Sequence, residues 1–328
     1  MRVPASLAID SVETGAVLSA ALRAVYGADA RLESWRADTG FTEHGKRRVV
    51  RYDLQAHVAG QAAVQHCQWL GKFYERHDDA GRVATALEEL AATDCGVRGG
   101  LRVPRVVAYH APRRLLLLTY ELGEPVSSAI AHDTASILAA LGRALAALHV
   151  TPVTLDAVLS PDGVIADLQT RVEALCVRFP DEASALRRQW SQLEREAPLP
   201  PAAPCFVHGD FGPANLLWSM GQVVVLDFDK CARGDPALDL GNLLAQLRRM
   251  TVRKPDRLRD FDAARARVLE AYQRWAPPDP GLDPRVAWYE RTTLLRKIHG
   301  LAFNTTRHQE ADALRQRHAE ATRLLSLP

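Results

Sequence analysis

The apolar pattern of this chain changes period once, near Glu121, and that change limits the fold more than any other feature. Before it, extended segments dominate. Arg31–Ala37, Arg48–Val58 and Ala63–Tyr74 are rich in β-branched and aromatic residues with turn formers between them, which predicts three antiparallel strands. Two more strands are expected at Arg102–Tyr109 and Arg114–Glu121, and the run Leu115–Leu118 in the second suits burial on both faces. A helix at Val12–Tyr26 precedes the strands, with Gly27 as its stop. Another, Arg82–Ala92, follows the third strand, capped by Asp78 or Asp79 and with Val83, Leu87 and Leu90 on its apolar face. After Glu121 helical spacing takes over, at Thr134–Leu148, Leu168–Phe179, Asp181–Glu196, Pro236–Met250, Phe261–Arg274, Pro284–His299 and Gln309–Leu325. One strand pair interrupts it, around Leu216–Trp218 and Val223–Phe228, joined by the turn Ser219–Gln222. The expectation is an α+β protein: a small antiparallel sheet over residues 1–120, a larger, mainly helical part over 121–328, and a cleft where the two join, near Glu121–Pro125.

Composition narrows the function. Hydrophobic residues make up 47% and charged residues 24% of 328, the balance of a globular chain. Lys plus Arg is 41 against 39 Asp plus Glu, too even for a dedicated nucleic-acid or membrane-surface binder. No apolar stretch reaches membrane-spanning length, and Met1–Asp10 has no signal-peptide core. Five cysteines, an odd number at 67, 95, 176, 205 and 231 with no close pair, fit neither a disulfide framework nor a zinc site and point to a reducing cytoplasm. The cations comprise 36 Arg but only 5 Lys, at 46, 72, 230, 254 and 297, so each lysine raises a chemical question.

The chemistry concentrates in His208-Gly209-Asp210-Phe211-Gly212-Pro213-Ala214-Asn215, followed by the apolar run Val223–Leu226 ending in Asp227-Phe228-Asp229. An acid five residues before an Asn matches the pattern of a phosphoryl-transfer loop. There the Asp accepts the attacking hydroxyl's proton and the Asn holds a metal ion. Asp227, at the end of a strand, adds a second metal ligand. Mg²⁺ prefers hard oxygen donors, and phosphoryl transfer is stabilised mainly by positioning and positive charge.

On these residues the chain resembles the aminoglycoside phosphotransferase and choline kinase group, small-molecule kinases with a bilobal protein-kinase-like fold. The core of the match is Phe206–Leu244, extending through Asp235-Pro236 and Asp239-Leu240. The resemblance implies that Asp210 is the catalytic base and that Asn215 and Asp227 bind Mg²⁺. It also implies that His208, Asp235 and Asp239 brace the site. Locally, Asp235 can cap the helix that Pro236 opens, with Asp239 in the favourably charged first turn.

Gly71-Lys72 closes the third strand, where a kinase places the lysine that grips the α and β phosphates. Alternation sets Leu70 on the same face, toward the adenine. Glu121 and Leu122 are the expected adenine-edge positions, and Leu217 the pocket floor or ordinary core. The loop Asp38–Gly45 can cover phosphates or serve as a plain connection. The acid expected to pair with Lys72 is less evident: Val83 takes the inward position of its helix, and Glu88 and Glu89 lie at its flank, with Glu88 within reach of Lys72 if the helix is rotated.

The reading is an enzyme that moves the γ-phosphoryl of MgATP, or of GTP, to a hydroxyl of a small molecule such as a sugar, an aminoglycoside-like compound or an amino alcohol. The alternative is a nucleotide-binding pseudokinase with a regulatory role. Residues 241–328 hold 17 Lys or Arg against 10 Asp or Glu, which counts against a polycationic acceptor and toward a neutral or anionic one. Trp288, Tyr289 and His299 suit either the cleft or helix packing.

Overall fold

The computed structural model describes residues 11–38, 48–61, 63–153, 155–197, 202–303 and 311–325. The phosphate-loop candidate falls outside these residues from Thr39 onward. The chain divides into two compact units, Met1–Ala92 with Val103–Leu122, and Thr93–Arg102 with Gly123–Pro328.

The first unit is built on a five-stranded antiparallel sheet. Its spatial order is Arg31–Asp38, Arg48–His57, Gln65–Phe73, Leu115–Thr119 and Val106–His110. Period-two alternation sorts its side chains. Tyr52, Leu54, Trp69, Leu115 and Leu117 join Leu18 and Leu22 of the helix Ser11–Tyr26 in one core cluster. Each fully buried leucine there contributes about 1.5–3 kcal/mol of burial. Gly71 belongs to this face because a Cβ there would lie 2.6 Å from the Tyr52 ring and 3.1 Å from Leu115. Its neighbours Leu70 and Lys72 therefore face the other way, level with Leu118 and Leu116 respectively.

Two expectations in this unit are corrected. The second helix begins at His77 with Arg76 at its cap position, so neither Asp78 nor Asp79 caps it. Asp79 lies inside its first turn, where negative charge meets the positive end of the helix dipole. The expected strand Arg102–Tyr109 is two pieces, because Pro104 has no N–H to give a ladder. Val106–His110 stays in this sheet, while Leu101–Arg102 pairs in parallel with Val223–Val224 of the second unit's own sheet.

The second unit holds two small sheets and most of the helices. Gln222–Val225 and Leu216–Ser219 form a hairpin flanked by Leu101–Arg102 and Glu124–Pro125. Its turn places Met220 and Gly221 at φ 52 and 78, the left-handed pair that suits strand twist. A second sheet joins Val158–Leu159, Ala232–Gly234 and Cys205–Val207. The short helices Cys95–Gly99 and Val126–Ala129 accompany the long ones: Thr134–His149, Pro161–Arg178, Ala183–Arg195, Pro236–Arg253, Phe261–Trp275, Leu282–Phe303 and Ala311–Leu325. The helix expected from Leu168 starts at Pro161, where Ser160 accepts the Gly163 N–H at 3.2 Å and Pro161 opens the first turn.

Glycines set the closest helix crossings. A Cβ on Gly142 would collide with the Val268 carbonyl, and one on Gly241 would lie 2.5 Å from Tyr289 Cβ. The second crossing ties the helix that carries Asp239 to the helix that carries Lys297. Trp288 and Tyr289 are core residues at 1% and 0% exposure, and Trp288 Nε1 donates to Leu193 O at 2.8 Å. None of the five cysteines is in a disulfide, and no helix among the described residues is long and apolar enough to cross a membrane.

Candidate active site

The strand Cys205–Val207 delivers the chain into a turn held from beneath by one buried carboxylate. Asp239, fully buried, accepts the His208 N–H at 2.6 Å on Oδ2 and the Gly209 N–H at 2.8 Å on Oδ1. His149 Nε2 approaches the same Oδ2 at 3.4 Å, and His149 Nδ1 lies 3.0 Å from the Tyr272 hydroxyl. Facing a carboxylate, which can only accept, Nε2 carries the proton, and Nδ1 accepts the O–H of Tyr272, a phenol that burial pushes well above its ordinary value. Gly209 has φ +78 and no room for a Cβ, which would collide with the Lys230 carbonyl. Only glycine meets both conditions without strain.

The next residue is fixed as tightly. The Asp210 N–H donates to His208 Nδ1 at 3.2 Å, which leaves the His208 proton on Nε2, donating to Leu226 O at 2.8 Å. Asn242 Nδ2 donates to Gly209 O at 3.2 Å, and Thr293 Oγ1 holds the Asn242 Oδ1 at 2.6 Å. The backbone of His208–Asp210 is thus tied to the helix Pro236–Arg253, which Thr293 links to the helix Leu282–Phe303, and the His208 ring ties the turn to Leu226.

The Asp210 carboxylate faces two lysines. Lys230 Nζ donates to Oδ2 at 2.7 Å, and Lys297 Nζ lies 3.8 Å from Oδ1. Burial works to raise the Asp210 carboxyl, but Lys297 and Lys230 outweigh it and hold the group below its ordinary value. Asp210 is therefore an anion at neutral pH, with Oδ1 free of any hydrogen bond from the described residues.

Asn215 ends the turn. Its Nδ2 donates to Asp210 O at 3.0 Å, its N–H to Gly212 O at 2.8 Å, and its carbonyl accepts the Leu226 N–H at 2.9 Å. With the amide nitrogen committed, the Asn215 Oδ1 is the end left for a cation. Asp227 follows Leu226 directly, at φ 62 and ψ 65, a left-handed conformation that Asp tolerates better than most residues. A neutral amide oxygen and a carboxylate on adjoining backbone suit Mg²⁺, which takes one or two protein oxygens and fills its octahedron with phosphate and water. Among the described residues no group of three His, Cys, Asp or Glu forms a metal cluster.

Asp235 braces the next helix. Its Oδ1 caps the Ala237 N–H at 2.9 Å while Oδ2 accepts from Arg285 Nε at 2.8 Å, and Arg285 also grips Asp279. Leu217 is half-buried in the hairpin, paired with Pro125 and Val224.

The other expected residues belong to the first unit. Lys72 is buried at 9% exposure and half-buried Leu70 shares its face. On the helix His77–Ala91, Glu88 is exposed and Glu89 half-buried, with Val83 at 1%. Glu121 is half-buried and accepts from Thr119 Oγ1 at 2.7 Å, while Leu122 is 66% exposed.

Lys230 and Lys297 were not among the expected site residues. The scarcity of lysine was the available signal: with Lys72, three of the five lysines are in these settings. His299, half-buried, has Nδ1 3.4 Å from Arg171 Nη1.

Known proteins give the same reading of the fold. Residues 61–289 match the phosphotransferase enzyme family, APH. No functionally curated protein matches the sequence. Among solved structures, a macrolide 2'-phosphotransferase, MphH, from Brachybacterium faecium is similar at TM-score 0.54 and 22% identity, covering 95% of this chain and 98% of that one. A choline/ethanolamine kinase family protein from Mesorhizobium loti is similar at TM-score 0.57 and 17% identity, covering 97% and 95%. A thermostable mutant of an aminoglycoside phosphotransferase, in ternary complex with ADP and hygromycin B, is similar at TM-score 0.59 and 14% identity, covering 94% and 97%. These likenesses establish the protein-kinase-like α+β fold. The family match spans well over half of the sequence and includes both Lys72 and the Asp210–Asp227 block. The chain belongs to the phosphotransferase enzyme family.

Proposed function

We propose that the protein transfers the γ-phosphoryl of a Mg²⁺-bound nucleoside triphosphate, ATP first and GTP second, to a hydroxyl of a small molecule. The observation that carries this reading is Asp210: a rigidly held, ionised carboxylate with Oδ1 open, in a turn that ends at Asn215, whose carbonyl accepts the N–H of Leu226, the residue before Asp227.

Asp210 Oδ1 orients the acceptor hydroxyl and takes its proton as the oxygen attacks the γ-phosphorus. The bond from phosphorus to the β-phosphate oxygen breaks, and the nucleoside diphosphate leaves with that electron pair. Lys230, on Oδ2, holds the carboxylate orientation and its anionic state. Asn215 and Asp227 hold Mg²⁺, which when bound neutralises phosphate charge. Lys72 grips the α and β phosphates, with Leu70 and Leu217 against the base and the backbone of Glu121 and Leu122 toward its edge. For the acid that orients Lys72 the burial order favours Glu89 over Glu88.

The test is ADP or GDP release from MgATP or MgGTP against a panel of polyols, sugar acids, amino alcohols, nucleosides, macrolides and aminoglycosides. Acceptor-dependent release by the parent and none by Asp227→Ala supports the reading. Release that survives Asp227→Ala contradicts it, and nucleotide binding with no transfer to any acceptor favours the pseudokinase.

A further inference from the structure

The acceptor side of Asp210 carries more positive charge than its carboxylate uses. Lys230 already satisfies Oδ2 at 2.7 Å, while Lys297 stands at 3.8 Å from Oδ1, outside hydrogen-bond range, with its side chain 31% exposed. Its ammonium is thus partly desolvated yet open to a ligand. Burial pushes the ammonium down, Asp210 opposes that, and Lys230, Arg249 and Arg296 add to the fall, so the lysine sits in a surplus of cations.

Three acids on the helix of Lys297 and on the helices packed against it are already engaged. Asp167 is held by Arg171 at 2.8 Å, Glu290 by Arg248 at 2.6 Å, and Glu320 by Arg249. Among the described residues, Asp210 is the one carboxylate that faces Lys297. That carboxylate is occupied by the reaction once an acceptor hydroxyl binds. A ligand group of negative charge then completes the lysine; an ammonium meets Lys297 and the three cations that act on it, Lys230, Arg249 and Arg296.

We infer that Lys297 is an acceptor-binding residue that selects hydroxyl compounds carrying a carboxylate or phosphate and rejects polycationic ones. This rests on Asp210 being the base of the proposed transfer. Lys297 places the anion of the acceptor on the face of Asp210 lined by the helix Leu282–Phe303. A charge-assisted hydrogen bond of that kind corresponds to roughly 10- to 100-fold in affinity.

The experiment compares matched acceptors: gluconate with glucose, glycerate with glycerol, and glucose 6-phosphate and kanamycin alongside. Each is followed by ADP release from MgATP, with Mg²⁺-dependent nucleotide binding measured by thermal shift on the same samples. The anionic member of a pair should have the higher kcat/KM by about 10-fold or more, and kanamycin should not turn over. Lys297→Met should raise KM for the anionic acceptor by roughly 10- to 100-fold and erase the preference, while Lys297→Arg preserves it. A structural role alone would lower kcat equally for both members of a pair and leave their ratio intact. The inference is overturned by equal use of charged and neutral members, by preferred use of kanamycin, or by no turnover of any anionic probe while nucleotide binding persists. Loss of Mg²⁺-dependent nucleotide binding in the parent overturns the phosphotransfer reading beneath it.

Discussion

Replacing Asp239 with Asn separates a bracing carboxylate from a merely convenient one. The side chain has no exposed surface and accepts two backbone N–H groups, at 2.6 and 2.8 Å, one on each oxygen. Asparagine keeps one acceptor oxygen and turns its NH₂ toward a second N–H. That orphans one buried donor, at a cost of about 1–3 kcal/mol, and demotes the other bond from charged to neutral, at a cost of about 1 kcal/mol. The sum is about 2–4 kcal/mol, a large part of the roughly 5–15 kcal/mol that holds a typical domain together. Urea unfolding with an unchanged m-value reads this loss directly. Because the two N–H groups belong to the residues just before Asp210, the freed turn also displaces the base. A shift of about 1 Å in such a group costs on the order of 100-fold in kcat. Nucleotide affinity should change far less than kcat. A variant within about 0.5 kcal/mol of the parent, with kcat intact, would refute the claim that Asp239 holds the turn.

Other perturbations probe different parts of the account. Gly209→Ala puts a Cβ against the Lys230 carbonyl at φ +78, and should reduce both stability, by about 1–3 kcal/mol, and turnover, read by thermal melting and ADP release. Gly241→Ala forces apart the helices Pro236–Arg253 and Leu282–Phe303 at a point where Tyr289 Cβ would lie 2.5 Å away, costing about 1–3 kcal/mol with a matching fall in melting temperature. Since Lys297 and Lys230 hold the Asp210 carboxyl below its ordinary value, the acid limb of the kcat/KM profile should fall below the usual carboxylate range, and Lys230→Met should move that limb to higher pH. Hydrogen bonds from Arg285 hold the Asp279 carboxyl below its ordinary value, so the folded protein binds that proton less readily than the unfolded chain does. That part of the stability is present above the ordinary carboxylate range and disappears as pH falls through the lowered folded value. Asp279→Asn should flatten this part of a urea-midpoint profile against pH.

Elements with their own periodicity were legible from the residues alone. The strands at Arg31, Arg48 and Gln65, the apolar run at Leu115, and the helices opened by Asp133, Asp235 and Asp260 carry their strand pattern, apolar faces and caps in local sequence. The three-residue strands Cys205–Val207 and Ala232–Gly234 do not, because a piece so short is extended only through the neighbour it pairs with. The break at Pro104 was readable as a missing donor, but the transfer of Leu101–Arg102 to another sheet was not. The motif residues of the turn were visible as spacing, whereas Lys230 and Lys297 reach Asp210 from a separate turn and a distant helix. Contacts between residues so far apart leave no periodic trace. Only the rarity of lysine in an arginine-rich chain marked them.

The central claim is that Asp210 removes a proton from an acceptor hydroxyl that then takes the γ-phosphoryl. It is tested most directly by incubating the protein with γ-labelled MgATP and an acceptor that supports ADP release, and following the label. The account predicts label on the acceptor in step with ADP for the parent, and none for Asp210→Asn at undiminished nucleotide affinity. Equal transfer by Asp210→Asn, or label released only as free phosphate by the parent, would contradict it.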